Sequence, residues 1–313
     1  MMLVGAAAPA TAQADYPNRP VRWILGFAAG GPTDIVVRII GQHLSEKLGQ
    51  QFVIENRPGA GGNTGTMQGS KAAPDGYTII GSGSGPVGAN LALYKNLGYD
   101  PEKDLEFITP FAGFTIVVVA SKTLPVKSLK ELIDYAKANP GLNFGSVGIG
   151  SSQHLAGEYF AQVAGTKMTH VPYRNIAQYG PDLISGTVQL GFQWYPNVAG
   201  PINAKGAIPL AVAGDKRIPT LPDVPTTAEA GLPQYKINGW FALLAPKGTP
   251  KAIQERLHKE TAAALSDPQV KQGFEKAGAE IMLVPLDRAK TWQRDEIAKY
   301  TDIIAKAGIP RIE

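Results

Sequence analysis

Apolar and polar positions follow two periods that replace each other along almost the whole chain. Short apolar runs such as Val21–Phe27 predict strands, and segments with apolar residues at helical spacing, such as Asp34–Leu48, predict helices. Further strands are predicted at Phe52–Ile54, Tyr77–Ser82, Thr115–Ser121, Asn143–Val147, Met168–Tyr173, Val188–Phe192, Pro209–Ala213, Gly239–Ala245 and Glu280–Val284. Further helices are predicted near Gly65–Ala72, from Ser128 to Ala138, up to Ala164, and at Ala177–Ser185, Pro250–Leu265, Pro268–Gly278 and Asp287–Ala307. This alternation predicts an α/β fold with mostly parallel sheets.

Two glycine-rich turns, residues 28–34 (the first turn) and residues 148–154 (the second turn), each follow a predicted strand and precede a helix. Open α/β sheets bind ligands at such strand ends. Because the turns are far apart in the chain, we expect two lobes whose turns face each other across a cleft. The apolar strands Thr115–Ser121 and Gly239–Ala245 are suited to cross between the lobes. We expect residues 15–117 and 242–313 in lobe 1 and residues 118–241 in lobe 2.

The first turn has the sequence of an anion site. Gly30 and Gly31 let the backbone turn tightly and approach a ligand, because glycine has no Cβ. Pro32 suits the first turn of a helix, where its missing N–H costs little. Free N–H groups and the positive end of the helix dipole can then bind an anion without a lysine. A βα turn that binds no ligand is the alternative.

Asp34 lies at the start of the same predicted helix, and Arg38 follows it four residues later. A carboxylate in the first helical turn interacts favourably with the dipole, and the spacing suits an ion pair. We therefore expect a structural role for Asp34 rather than contact with a bound anion.

The composition of the chain argues against several classes of function. The 313 residues carry a net charge of +4 with scattered Lys and Arg, which does not indicate a nucleic-acid surface. No cysteine is present and the four histidines are scattered, so we expect no metal and no cofactor. Gly83–Gly88 matches GxGxxG, but Pro86 interrupts it. We expect a polar loop at the mouth of the cleft there, with Ser82 and Ser84 as donors.

The N-terminus predicts export. Residues 1–14 read MMLVGAAAPATAQA, a short apolar stretch that ends in a small-x-small cleavage site. We interpret it as a truncated signal peptide, with a disordered Ala-rich tail as the alternative. No later stretch reaches the roughly 18 apolar residues of a membrane span, so we expect a soluble periplasmic protein.

Three further features of the second half are open to two interpretations each. Arg174 follows a predicted strand and can bind a carboxylate bidentately or be a solvated surface residue. Trp194 and Tyr195 line the cleft or pack in the core. Ser151 and His154 could belong to a hydrolase, but their spacing suits helix capping better than a base aligned on a nucleophile. We expect no enzyme, and a Ser/His hydrolase is the alternative.

Several stretches resemble the Bug-type periplasmic solute receptors, which are the binding proteins of tripartite tricarboxylate transporters. They read YPNRPVRWILGFAAGGPTDIVVR, VIENRPGAGGNTGT, DGYTII, GIGSSQHLAGEYF, HVPYR, RIPTLPDVPTTAEAGLPQY and APKGTP. The resemblance runs from about Tyr16 to the C-terminus. It implies a two-lobed, Venus-flytrap protein that closes on a small carboxylate and delivers it to integral-membrane permease subunits. A receptor that presents its closed form to a signalling protein is the alternative.

The resemblance also implies where the ligand binds. In that family the carboxylate lies between the loops matching Phe27–Asp34 and Gly148–His154, held by backbone N–H groups, hydroxyls and ordered waters. Candidate contacts in these loops are Phe27, Ala29, Gly30, Gly31, Thr33, Gly148, Gly150, Ser151, Ser152 and His154.

One departure from the family bears on the ligand. Relatives often carry an acidic residue near the position of Gln193, where it can meet the ammonium group of an amino acid. Gln193 followed by Trp194 removes that charge and adds aromatic surface. Our hypothesis is an aromatic or dicarboxylic acid such as terephthalate, with Arg174 meeting a second carboxylate.

Overall fold

The computed structural model describes residues 16–173 and 175–313. Its strands are β1 Val21–Leu25, β2 Phe52–Asn56, β3 Thr78–Gly83, β4 Leu105–Ser121, β5 Leu142–Ser146, β6 Met168–Pro172, β7 Leu190–Trp194, β8 Ala207–Val212, β9 Asn238–Pro246 and β10 Glu280–Ile281. Its α-helices are α1 Pro32–Leu48, α2 Asn63–Ser70, α3 Asn90–Leu93, α4 Leu129–Ala138, α5 Ser152–Ala164, α6 Tyr179–Ser185, α7 Tyr195–Asn203, α8 Lys251–Ser266, α9 Pro268–Lys276 and α10 Leu286–Lys306. The predicted signal peptide and Arg174 lie outside the described residues.

The long strand β4 joins two halves of the strand arrangement. The strands follow the order β2-β1-β3-β9-β4-β7-β5-β6, with β8 and β10 also paired to β4. From Leu105 to Thr115, β4 pairs with β9, and from Ile116 onward it pairs with β7 and β8. The chain therefore changes its partners within one strand, between Thr115 and Ile116.

The prediction of mostly parallel sheets is wrong for the middle of this arrangement. The outer pairs β1–β2, β1–β3, β5–β6 and β5–β7 are parallel. Both β4 and β9 run antiparallel to the strands beside them. The helices that follow β4 and β9 lead to β5 and β10, and neither strand pairs with the one that its helix leads to. The rule that strands joined through a helix pair in parallel therefore does not apply to β4 and β9.

Strand β4 is also longer than the predicted Thr115–Ser121. Its pairing with β9 shifts register between Phe107 and Thr109 and again between Pro110 and Ala112. Such bulges let a strand accommodate a proline, which cannot donate a hydrogen bond to the sheet. Because a proline inside an apolar run argues against a strand, Pro110 kept the first half of β4 from being predicted.

Buried apolar side chains form one large cluster that extends through both halves, with Trp23 and Phe111 in one and Phe144 and Phe192 in the other.

Helix boundaries mostly lie within a few residues of the predicted ones. Ser128 caps α4: its side chain accepts from the Glu131 backbone N–H. The Glu131 carboxylate accepts from the backbone N–H of Lys127, the residue before the cap. Helix α7 was not predicted, because Gly200 and Pro201 lie inside it.

Candidate functional site

The first turn connects β1 to α1 and is fixed by a buried carboxylate. Asp34 is only 3% exposed. Its Oδ2 accepts from Arg38 Nε at 2.8 Å and from the Gly30 N–H at 2.9 Å, and its Oδ1 accepts from Asn56 Nδ2 at 2.9 Å. The expected Asp34–Arg38 pair is confirmed. Burial opposes ionisation of Asp34, but these hydrogen bonds outweigh it and lower its pKa.

The second turn connects β5 to α5 and needs glycine at two positions. Gly148 has φ 127° and Gly150 has φ 78°, both in the region that L side chains rarely adopt. Ser151 caps α5: its Oγ accepts from the His154 N–H at 3.3 Å and donates to the Gly148 carbonyl at 2.7 Å. The segment is therefore shaped by hydroxyl and backbone groups rather than by a charge.

A cavity of about 670 Å³ lies between the two turns. None of the described side chains that line it is charged, and its aromatic and aliphatic walls include Phe27, Ile149, Ile176 and Trp194. The lining residues are Gly26, Phe27, Ala28, Gly31, Pro32, Thr33, Pro58, Gly59, Ala60, Gly61, Gly62, Tyr94, Val147, Gly148, Ile149, Pro172, Tyr173, Ile176, Trp194 and Asn197. This volume is within the range of small-molecule sites.

A much smaller recess of about 10 Å³ shares the Phe27, Gly61 and Trp194 walls with this cavity. Its other lining residues are Gly83, Ser84, Gly85, Pro86, Ser151, Ser152, Gln153 and Phe241. Gln153 Nε2 and Trp194 Nε1 are buried and have no hydrogen-bond partner among the described residues. A buried donor without a partner is uncommon in folded proteins, so an acceptor at this recess would satisfy it.

The structure brings eight of the candidate contacts to these two spaces. Phe27, Gly31, Thr33, Gly148 and Trp194 line the cavity, and Ser84, Ser151 and Ser152 line the recess. The expected loop at Ser84 is instead a π-helical segment, Ser84–Ala89, that leads into α3.

Six other candidates do not line either space. Ala29, Gly30 and Gly150 belong to the turns but are not on these walls, and the Gly30 N–H is engaged by Asp34. Ser82 is fully buried, 2.6 Å from Thr66 Oγ1. These polar groups are used inside the protein.

The amide of Gln193 and the imidazole of His154 are likewise engaged. Gln193 Nε2 donates to the Gly145 carbonyl and its Oε1 accepts from Asn197, at 2.8 and 3.0 Å. His154 Nδ1 accepts from the Gly150 N–H at 3.2 Å. The Ser151 hydroxyl donates to Gly148, so this arrangement does not align Ser151 with an imidazole base.

The segment Pro58–Gly62 forms a wall of the cavity that sequence reasoning did not assign to the site. Gly61 has φ 62°, and a Cβ there would overlap the carbonyl oxygen of Ile149. A Cβ on Gly85 would overlap the carbonyl oxygen of Gly150. The run of glycines at 59–62 was the available signal, because close backbone approach requires this residue.

Tyr94, Tyr173 and Asn197 also line the cavity and were not predicted as site residues. Tyr94 donates its hydroxyl to the Ile149 carbonyl at 3.3 Å, across the cavity wall. Tyr173 donates to Asp182 at 2.6 Å, and burial together with this carboxylate raises the pKa of the phenol. These hydroxyls stay protonated at neutral pH.

The described residues lack two features of other protein classes. They contain no cluster of three or more His, Cys, Asp or Glu side chains that could hold a metal ion. Within the same ranges, no helix has the length and apolar character to cross a membrane.

Comparisons with known proteins agree with this geometry. A family model described as "Tripartite tricarboxylate transporter family receptor" matches residues 36–309. The protein BugT of Bordetella pertussis is 34% identical over 306 residues, covering 97% of this chain and 94% of BugT. The solved structure of the periplasmic binding protein BugD has a TM-score of 0.87 and 33% identity, covering 95% of this chain and 100% of BugD.

A second solved structure, R. palustris Rpa4515 with adipate, has a TM-score of 0.89 and 36% identity, and covers 95% of this chain and 100% of that protein. These matches confirm the predicted α/β fold of a two-lobed periplasmic binding protein.

Proposed function

Because this chain belongs to the tripartite tricarboxylate transporter receptor family, we propose that it is an exported receptor that captures a carboxylate with an apolar body. The carboxylate lies in the cavity beside the recess, which has room for about one water molecule, and the body fills the rest of the cavity between the two turns. Aromatic and dicarboxylic acids such as terephthalate have this shape. The receptor then delivers its ligand to integral-membrane permease subunits and carries out no chemical step itself.

The observation that carries this proposal is the pairing of an uncharged, largely apolar cavity with unpartnered donors beside it. Gln153 and Trp194 line the recess and carry buried N–H groups without a partner, and Ser84 adds a hydroxyl. The Ser152 hydroxyl donates to Gln153 Oε1 at 3.1 Å. The two N–H groups and the Ser84 hydroxyl suit carboxylate oxygens or a water that bridges to them. The cavity walls suit a ring or an alkyl chain. A relative, Rpa4515, was solved with adipate, which has two carboxylates and an alkyl chain.

The charge of the site argues against amino acids as ligands. No acidic side chain among the described lining residues is available to meet an ammonium group. A buried ammonium without a partner is costly, so an amino acid would bind weakly. Arg174 follows Tyr173 on the cavity wall, and we propose that it meets a second carboxylate where the ligand has one.

Lobe closure supplies the affinity that the polar groups alone do not. A helix N-terminus contributes up to about 2 kcal/mol to a partly buried anion, whereas micromolar binding needs about 8 kcal/mol. Closure excludes water, strengthens the hydrogen bonds and buries the ligand body. We propose lobes of residues 15–117 with 242–313, and 118–241. The change of partners within β4 supports this division.

A thermal-shift screen of protein purified from the periplasm tests the proposal. The ligands are terephthalate, benzoate, adipate, malate and glutamate, with dimethyl terephthalate as the uncharged control. A ligand that binds only the folded state at a hundredfold excess over its Kd stabilises by about 2.7 kcal/mol. We expect shifts with the aromatic acids or adipate and none with glutamate or the ester. A shift with glutamate alone, or with no acid at all, contradicts the proposal.

A further inference from the structure

Two histidines are hydrogen-bonded at the second turn. His154 is on α5 and is 7% exposed, and His170 is on β6. Their ring centroids are 4.3 Å apart. Neither ring lines the cavity or the recess. A buried imidazole and a half-buried one in contact with it are therefore left without a role by the proposed ligand contacts.

Both rings are joined to the backbone of the turn by hydrogen bonds. His154 Nδ1 accepts from the Gly150 N–H at 3.2 Å. His170 Nε2 lies 2.6 Å from Ser146 Oγ, which accepts from the Gly148 N–H at 3.0 Å and donates to the Gly148 carbonyl at 3.1 Å. The two glycines bound in this way have positive φ and no side chain of their own to fix their peptide planes.

We propose that His154 and His170 are positioning residues that hold the peptide groups of residues 148–150 in the orientation that binds the ligand, and that His154 does so as a neutral imidazole. The inference rests on the proposed function, because the turn matters to binding only if the ligand contacts it. His154 acts through Gly150, and His170 acts through Ser146 and Gly148.

The neutral state follows from the hydrogen bond itself. An imidazole nitrogen that accepts from an N–H carries no proton, so the proton of neutral His154 is on Nε2. Protonation of Nδ1 would place an N–H against the Gly150 N–H and break the bond. A positive charge on both rings would add repulsion over 4.3 Å. An acidic medium is therefore expected to release Gly150.

The groups around His154 keep this protonation out of the neutral range. The titratable side chains that face its ring within the described residues are His170 on β6 and Glu158 on α5, whose Oε1 lies 3.7 Å from Nε2. Burial, and then the neighbouring His170, lowers the pKa of His154 to about 3. Burial lowers the pKa of His170 to about 4 and raises that of Glu158. The pair therefore stays neutral where an ordinary histidine would titrate.

Nitrogen NMR of the histidine rings in ligand-free protein tests the neutral state without any ligand. We expect His154 to be the Nε2–H tautomer at pH 7 and to remain so when the pH is lowered past 6.5, the ordinary histidine pKa. The Gly150 amide signal should move only when His154 titrates, and His154→Asn should abolish that transition. An Nδ1–H tautomer, or titration of His154 near 6.5, overturns the proposal.

Binding measurements test the positioning itself, with adipate as the probe. His154→Leu removes the acceptor and leaves the Gly150 N–H without a partner, which costs more than the net value of one hydrogen bond, so adipate binding should weaken about tenfold. His154→Asn offers an amide oxygen to Gly150 and should stay within a few-fold of the wild-type Kd. His258→Asn is the matched control, because that ring bonds the Val284 carbonyl, away from the turn.

Wild-type affinity in His154→Leu would overturn the positioning role, and so would equal losses in the Leu and Asn variants. Failure of the wild-type protein to bind adipate would count against the proposed ligand class instead. If adipate does not bind, the NMR measurement of the His154 tautomer and titration still tests the proposed role of the histidines.

Discussion

The two turns of this protein occupy matching places after parallel strands, but they are held by different chemistry. The first turn is tied by Asp34, an ionised carboxylate bonded to Arg38, Gly30 and Asn56. The second turn is tied by serine hydroxyls and the neutral rings of His154 and His170. The same type of glycine-rich turn can therefore be stabilised with a charge or without one.

The two arrangements respond to acid with the same sign but over different ranges. The pKa of Asp34 is lowered, so its contribution to stability is present above the ordinary 3.8 and is lost as the pH falls through the folded value. The pKa of His154 is also lowered, from 6.5 to about 3. An unfolded chain then binds a proton that the folded chain excludes, so stability declines as the pH falls below 6.5. Between pH 6.5 and 4, only the contribution of the second turn to stability is expected to fall.

The turns also differ in what touches them from outside. The second turn lies against Gly61 and Gly85, at positions where a Cβ would overlap the carbonyls of Ile149 and Gly150. In the first turn, by contrast, a Cβ added to Gly30 would meet no heavy atom within 4 Å among the described residues. The second turn is therefore the one whose position depends on close approach of another segment.

Gly85→Ala removes the close approach to the second turn and should have the largest effect on ligand affinity. The added methyl overlaps the Gly150 carbonyl, so the two segments must separate and the binding-competent arrangement becomes rare. We expect the affinity for a bound carboxylate to fall about 100-fold or more, because apparent affinity follows the competent fraction. Isothermal titration calorimetry measures this loss.

Gly200→Ala provides the matched control, since an added Cβ meets no atom within 4 Å there. It should leave the affinity unchanged. An unchanged Kd for Gly85→Ala would show that the close approach is not needed for binding.

Much of the fold could be predicted because strands and helices differ in period. The βα units and the two turns were found from apolar spacing and glycine positions alone. The middle of the sheet could not be, because β4 contains Pro110 and pairs through bulges that no local pattern reveals. Helix α7 was missed because Gly200 and Pro201 argue against a helix, although α7 places Asn197 on the cavity wall.

The site could be predicted only in part, because sequence spacing does not tell which side of a turn faces a ligand. Thr33 and Gly148 line the cavity, whereas His154 does not line it and accepts a hydrogen bond from the Gly150 N–H. Gln193 follows the pattern of a cleft residue, but both ends of its amide are bonded inside the protein. Long-range contacts decide these cases, and they are not visible in a window of sequence.

Asp34→Ala tests whether the carboxylate holds the first turn. The change removes the acceptor of three hydrogen bonds from Gly30, Arg38 and Asn56, and only Asn56 among these donors is even partly buried. Since bonds to a charged group contribute about 1.5–3 kcal/mol, we expect a loss of about 2–3 kcal/mol in the free energy of unfolding. Urea denaturation at pH 7 measures it.

Asp134→Ala is the matched control. It removes an exposed carboxylate on α4 that pairs with Lys130, four residues before it. It should change stability very little, because exposed ion pairs contribute little. Equal effects of the two substitutions would mean that Asp34 is not the residue that fixes its turn.

Thr33→Val should have the smallest effect and tests whether the first turn contributes a hydroxyl to binding. Thr33 is 2% exposed and lines the cavity, and valine keeps its shape while it removes the Oγ1. Loss of one hydrogen bond of about 1 kcal/mol predicts a Kd roughly fivefold higher. Thr33→Ser retains the hydroxyl and should stay close to the wild type, which separates the bond from the methyl contact. If Thr33→Val binds as tightly as the wild type, the first turn contributes backbone N–H groups alone, and the side-chain hydroxyls that matter belong to the recess beside the second turn.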